Sequence, residues 1–262
     1  EKGTGSERSL GPELPRKRLQ LGACPLFNGP SSWSALNMAT SIVLKEDFEI
    51  PFVRSLDEFS AWARSDDFPD RGRIDYLAGR IEVDRSPEDY YSHGAVKVEV
   101  IGALRDLVKA GDLGDLRVDR TRVSTPDADL SAEPDLVFIS FATFESGRAR
   151  LIPKATEEAD RFVEVEGAPD LVVEIVSDRS VKKDTVRLPL AYWRAGVAEY
   201  WLIDARGEAL VFRIQRRGPS AYETISPDSE GFQRSDVFRR GFRLTRRRDR
   251  RGGWAFDLEH RP

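Results

Sequence analysis

The sequence predicts a mixed α/β domain in which strands carry the functional acids and helices cover the sheet. Three observations predict it. Short alternating apolar runs broken by tight turns occur twice, at 73–84 and 198–214. The stretch 92–114 instead repeats its apolar residues at helical spacing. A third kind of run, "DLVVEIVS" at 170–177, is apolar on both alternating faces, as a central strand covered on both sides must be.

Taken in order, "RIDYLAGRIEVD" (73–84) reads as a β-hairpin around Ala78-Gly79. In "SHGAVKVEVIGALRDLVKAGDLG" (92–114), Val96, Val100, Leu104 and Leu107 share a helical face, with Ser92 as N-cap and Gly111 as the stop. "DLRVDRTRVS" (115–124) and "PDLVFIS" (134–140) read as strands, and the polar stretch containing "KATEEADR" reads as a loop or short helix. A helical segment around 186–195 ends at Gly196, and Pro189 within it requires a late start or a bend. "AEYWLID" (198–204) and "EALVFRI" (208–214) form the second hairpin, with Tyr200 and Trp201 assigned to the core. The rest reads as a polar tail with short strands. Its eight arginines between 239 and 251, with Trp254 beyond, have the composition of a phosphate track, but arginines on both strand faces read as a solvated hairpin. No internal repeat or heptad pattern is present.

Composition bounds the class. With 40% apolar and 33% charged residues the chain is globular with a heavily solvated surface, and 262 residues suffice for one substantial core with appendages. A formal net charge of -4 argues against bulk attraction to polyanions, so any contact with one must come from local Arg and Lys clusters. One cysteine, Cys24, and two histidines, His93 and His260, exclude a disulfide framework and an ordinary Cys/His zinc site. No stretch approaches the roughly 20 apolar residues of a membrane span, and no signal-peptide core opens the chain. A cytoplasmic protein without membrane contact is the expectation. The chain starts at Glu1 and its single methionine is Met38. Residues 1–37 therefore read as a disordered extension or as sequence upstream of the natural start, followed by a domain over 38–215 and a β-hairpin, Arg-rich extension over 216–262 packed on that domain.

Glu174, at the centre of "LVVEIVSD", carries the functional question. Strand alternation puts it on one face with Asp170, Val172 and Val176. A buried carboxylate without a partner is costly, so the sequence calls for a cation, a donor cluster or a raised pKa. A divalent metal is one such partner, and Mg²⁺ is held by one or two carboxylates while keeping waters. A second acid must then come from a neighbouring strand. Asp135, in "AEPDLVFIS", opens an apolar strand and so places its carboxylate at a sheet end, where sites on open α/β sheets lie. Pro-Asp also occurs at 69, 126, 169 and 227, where turns are the natural reading.

The ordered string "RIDYLAGRIEVD", "SPEDYYSHGAVKVEV", "AEPDLVFIS" and "APDLVVEIVSDRSVKKDTVRLPLAYWRAGVAEYWLID" resembles the Uma2 family of the PD-(D/E)XK nuclease superfamily over roughly 50–215. The resemblance implies a restriction-endonuclease-like core: a central mixed β-sheet flanked by helices, with β-hairpin additions. It also implies a Mg²⁺- or Mn²⁺-dependent endonuclease acting on DNA, with Asp135 and Glu174 as metal ligands. The superfamily's lysine falls on Val176, and the position more common in Uma2 sequences falls on Leu188. The nearest basic residues are Lys183 and Arg187, four apart, with Lys182 beside them. Lys183 would orient water or stabilise charge, and Arg187, always protonated, only the latter. His93, with Lys97 and Val100 following on nearby faces, is a candidate phosphate or water contact, and Glu99 a candidate third acid or a solvated helix residue. Double-strand cleavage by such folds uses two copies, so a homodimer is compatible. Val176 and Leu188 favour an alternative, a catalytically inactive nucleic-acid-binding or interaction module, and a third reading satisfies Glu174 with a Lys or Arg alone.

Overall fold

A computed structural model describes residues 50–155 and 160–262. The N-terminal extension, Cys24, Met38 and the middle of "KATEEADR" lie outside the described residues. After α1 (Leu56–Ala63), β1 (Arg73–Leu77) and β2 (Arg80–Asp84) form the expected hairpin in the register Leu77↔Arg80. Ala78 and Gly79 both take positive φ, +49° and +75°, the geometry of the two-residue turn that matches strand twist.

The long helix begins earlier than its apolar spacing implies. A π-helical turn, Tyr90–Ala95, leads into α2 (Val96–Gly111). Asp89, rather than Ser92, is the cap: its carboxylate accepts from the Tyr91 and Ser92 N–H groups and leaves Ser92 inside the turn. The chain leaves α2 through Asp112 in the left-handed region (φ 46°) rather than at Gly111.

The run 115–124 is two strands. β3 (Gly114–Val118) and β4 (Arg122–Thr125) are separated by Arg120 at φ 61° and enter different sheets. β5 (Leu130–Ala132), β6 (Leu136–Ser140), the short α3 (Phe141–Glu145), β7 (Ala149–Pro153) and β8 (Phe162–Gly167) follow, and then β9 (Leu171–Ile175). A second π-helical turn, Lys183–Arg187, precedes α4 (Leu188–Ala195), so Pro189 falls in the first turn of a helix that starts late. β10 (Glu199–Asp204) and β11 (Val211–Arg217) make the second hairpin, and β12 (Tyr222–Thr224) and β13 (Gln233–Ser235) follow. The tail holds the short strands expected in β12 and β13, but β14 (Arg240–Arg248) and β15 (Trp254–Arg261) are the longest among the described residues.

The central sheet runs β12-β11-β10-β9-β6-β3, with β9 and β10 parallel and every other pair antiparallel. α4 is the crossover between β9 and β10, and its Leu188, Ala191 and Tyr192 pack on Val172 and Val176. α2 covers the opposite face, joining Val96, Val100 and Leu104 to Leu136, Phe138, Leu171 and Val173. Helices therefore flank the sheet on both faces. A second sheet, β2-β1-β5-β4-β8-β7, shares the α4-side core through Leu77, Val123, Leu130 and Val165.

Tyr200 and Trp201 are fully buried on opposite faces of β10. Trp201 meets Phe212, Phe238 and Phe242, so the β14–β15 hairpin shares the α2-side core. The arginines of that hairpin are spent locally. Arg246 and Arg248 lie over Trp254, Arg243 pairs with Glu259, and Arg247 with Asp257. The solvated-hairpin reading holds.

Candidate active site

β6 and β9 pair antiparallel with Leu136↔Val173 and Val137↔Val172. Carrying that register one residue further sets Asp135 opposite Glu174, on the face that also holds Val137, Val172 and Val176. Both acids are buried, at 0% and 1% exposure. The cation that Glu174 requires comes from the first residue of β1. Arg73 donates to Asp135 Oδ1 at 2.8 Å, and its other terminal nitrogen lies 3.8 Å from Glu174 Oε2. The backbone N–H of Ile175 donates to Asp135 Oδ2 at 2.7 Å, and the Tyr192 hydroxyl donates to Glu174 Oε1 at 3.3 Å. Glu174 Oε2 is buried with no hydrogen-bond partner among the described residues.

Two further groups converge on these acids. The π-helical turn brings His93 in, with Nε2 3.5 Å from Asp135 Oδ2 and Nδ1 3.2 Å from Glu88 Oε2. One turn on, Lys97 Nζ reaches Glu88 at 2.6 Å, Asp119 at 2.8 Å and Asp135 at 3.3 Å. From the other side Lys183 reaches Asp75 Oδ2 at 3.0 Å, while the Glu133 N–H donates to Asp75 Oδ1. Of the residues singled out in the sequence, the structure thus brings together Asp135, Glu174, His93 and Lys183.

Arg187 is elsewhere. Its guanidinium forms a bidentate pair with Glu82 on β2. Lys182 is exposed. Glu99 is neither a third acid nor a solvated residue, since its carboxylate accepts from the Leu258 N–H at 2.9 Å and ties α2 to β15. Leu188 and Val176 are core residues. Sequence reasoning passed over Arg73, Asp75 and Glu88. The signal for the first two was present: in "RIDYL", Arg73 and Asp75 share a strand face with buried Leu77, while Ile74 and Tyr76 fill a separate core with Phe59.

The two central acids titrate in opposite directions. Burial alone would raise Asp135, but Arg73, His93 and Lys97 together hold it well below the usual carboxylate range. Burial and the Asp135 charge push Glu174 well above it, against the smaller pull of Arg73. Of the pair, Asp135 is therefore the group that holds its charge and Glu174 the one that holds its proton to higher pH. Asp184 is pushed by burial up to about 6, despite Lys183 and a Ser180 hydrogen bond. Burial opposes the charge on His93 and on Lys183, but Asp135 raises the first and Asp75 the second, so both favour their protonated forms.

Donors able to hold a divalent cation are present. Glu88 and Asp135 each offer a carboxylate oxygen and His93 a ring nitrogen, all within 4.8 Å of one another, and Glu174 Oε2 adds an unpartnered carboxylate oxygen across the strand pair. Arg73 and Lys97 also stand on Asp135 Oδ1. Above the acids lies a cavity of about 370 Å³, bordered by Arg71, Arg73, Glu88, His93, Ile175 and Ser177.

The model of a family described as "Uma2: Putative restriction endonuclease" matches residues 56–247. Among solved structures the chain is similar to "a putative nuclease belonging to DUF820" from Anabaena variabilis ATCC 29413. The TM-score is 0.51 at 20% identity over 71% of this chain and 90% of that chain, a likeness of fold. No curated protein matches the sequence.

Proposed function

The chain belongs to the Uma2 family, and from that premise we propose that it is a metal-dependent endonuclease hydrolysing DNA phosphodiester bonds. The observation that carries the reading is the pairing of Asp135 with Glu174 by strand register beneath a cavity edged with arginine. Asp135 and Glu174 hold Mg²⁺ or Mn²⁺ in this reading, with Glu88 and His93 adjacent. When bound, the ion neutralises the scissile phosphate and lowers the pKa of a coordinated water.

The protein's own groups do the rest. Arg73 and Lys183 keep their protons, so they stabilise developing negative charge and neither serves as a base. His93, oriented by Asp135 and Glu88, presents its imidazole at the cavity wall. Asp75 fixes Lys183 and thereby sets how far its ammonium reaches toward Glu174. Lys183 therefore takes the place of the superfamily lysine that Val176 lacks, and Arg187 is left out of the catalytic set. The segment 216–262 belongs with the nuclease domain of 38–215, a reading supported by the shared core of Phe242, Leu244, Phe256 and Leu258. No helix of the described residues is long and apolar enough to cross a membrane. DNA as partner, a cytoplasmic location and a homodimer complete the proposal.

Nicking of supercoiled plasmid tests it. The wild type nicks with Mg²⁺ or Mn²⁺, Asp135→Ala and Glu174→Ala abolish the activity, and undiminished cleavage by both variants removes the proposal. A second reading, a catalytically inactive DNA-binding module, is favoured by Leu188 in the core and by Arg73 lying between the two acids. It requires salt-dependent DNA binding with no cutting under either ion.

A further inference from the structure

The cavity over the acids continues into a second one of about 250 Å³, and Ser86, Pro87, His93 and Ser177 border both. Together they form one cleft with an arginine on each rim. Arg71 stands on the first cavity, before β1, and Arg179 on the second, after β9. Both are exposed, and neither has an ion-pair or hydrogen-bond partner among the described residues. Their neighbours differ: Arg73 is held by Asp135, and Arg206 by Asp204 and Asp178. Two unspent guanidinium groups at the ends of a cleft, with a charged floor between them, suit a phosphate backbone running across it.

The depth of the floor selects the form of that backbone. Asp135 and Glu174 are 0% and 1% exposed and border neither cavity, whereas Arg73 and His93, which contact them, border the first, so a phosphate approaching the acids must enter the cavity instead of passing over it. A duplex must bend or unpair to lower one phosphate into about 370 Å³, a cost that a flexible unpaired strand does not carry. A stacking surface lies at the lip. Tyr90 directly follows Asp89, which borders the second cavity, and is 74% exposed, with its ring edge-on to Tyr91 at 4.9 Å. Tyr91 is braced in turn by Gly253, where an added Cβ would come within 2.5 Å of its ring. Asp84, Glu88, Asp89 and Asp178 also border the cleft, so its attraction for a backbone rests on the two unpaired arginines, and an exposed, buttressed aromatic beside them is the arrangement that holds unpaired bases.

Resting on the nuclease reading above, we propose that the substrate is an unpaired DNA strand, its backbone spanning Arg71 and Arg179 and a base stacked on Tyr90. The test is equilibrium binding of a fluorescent oligodeoxynucleotide in EDTA, single-stranded against the same sequence annealed, over a salt series. The single strand binds at least about tenfold tighter than the duplex. Arg71→Ala and Arg179→Ala each lower the slope of log K against log salt by about 0.7, one phosphate contact on a single strand. Tyr90→Ala weakens binding about fivefold or more with the slope unchanged, and Tyr90→Trp restores it. Duplex binding as tight as single-strand binding overturns the proposal, as does an unchanged slope in both arginine variants. Single-strand preference without cleavage under any divalent ion removes the enzyme reading and keeps this one. Asp135-dependent plasmid nicking combined with duplex preference does the reverse.

Discussion

Replacing each acid by its amide separates two carboxylates that face each other yet carry opposite protonation. Asp135 is ionised among Arg73, His93 and Lys97, so Asp135→Asn leaves buried cations without their counter-charge. Breaking a buried pair in this way costs about 3–5 kcal/mol, or roughly 10 °C in Tm for a domain of this size. Glu174 is already neutral, and glutamine reproduces its shape and its hydrogen bond from Tyr192. The signs follow from linkage. The folded value of Asp135 lies below its unfolded one of about 3.9, so its contribution is complete above that pH and is lost only as pH falls through the folded value. The folded value of Glu174 lies above its unfolded one of about 4.3, so its contribution is complete below that and is lost as pH rises toward the folded value. Glu174→Gln therefore gains on the wild type from about pH 5 upward, at up to about 1.4 kcal/mol per pH unit. The assay is urea unfolding of both variants and the wild type in EDTA at several pH values, with m-values compared to confirm two-state behaviour. A Glu174→Gln variant as unstable at pH 7 as Asp135→Asn, or one with no pH-dependent gain, refutes the assignment of charge.

Two other outcomes are expected. Asp184, pushed up to about 6 by burial, contributes stability that is complete below about pH 3.8 and lost as pH rises through 6, so Asp184→Asn should stabilise the protein at pH 8 relative to pH 4 by on the order of 3 kcal/mol, read by chemical denaturation. Gly167, at φ 117°, would place a Cβ 2.1 Å from the Arg148 carbonyl oxygen, so Gly167→Ala should cost more than about 4 kcal/mol in a thermal melt. Gly79→Ala, with open space around it, costs only the left-handed strain of about 1 kcal/mol.

Both hairpins and the covered central strand were legible because their residues speak locally. The hairpins at 73–84 and 198–214 announce themselves by alternation, and the doubly apolar run at 170–177 reads as a covered strand. Asp135 and Glu174 were legible as acids in the wrong company. What escaped was set by distant contacts. Beyond the β1–β2 hairpin, the second sheet joins β5 to β1 and β4 to β8, pairings between segments far apart in the chain. Lys183 pairs with Asp75 on β1 and Arg187 with Glu82 on β2, partners from a hairpin some hundred residues away that local spacing does not reveal. Arg73 escaped because its partners, Asp135 and Glu174, come from β6 and β9, far along the chain.

The antiparallel ladder between β6 and β9 also determines where this chain can change length. A deletion or insertion inside 135–138 or 171–174 shifts one acid to the opposite side of the sheet and separates the pair. The 30 or so residues between these segments build β7 and β8 of the second sheet, so length is free only in the segments that join those strands. Relatives should therefore vary most in length between positions 154 and 161 while holding constant the spacing from each acid to its own strand.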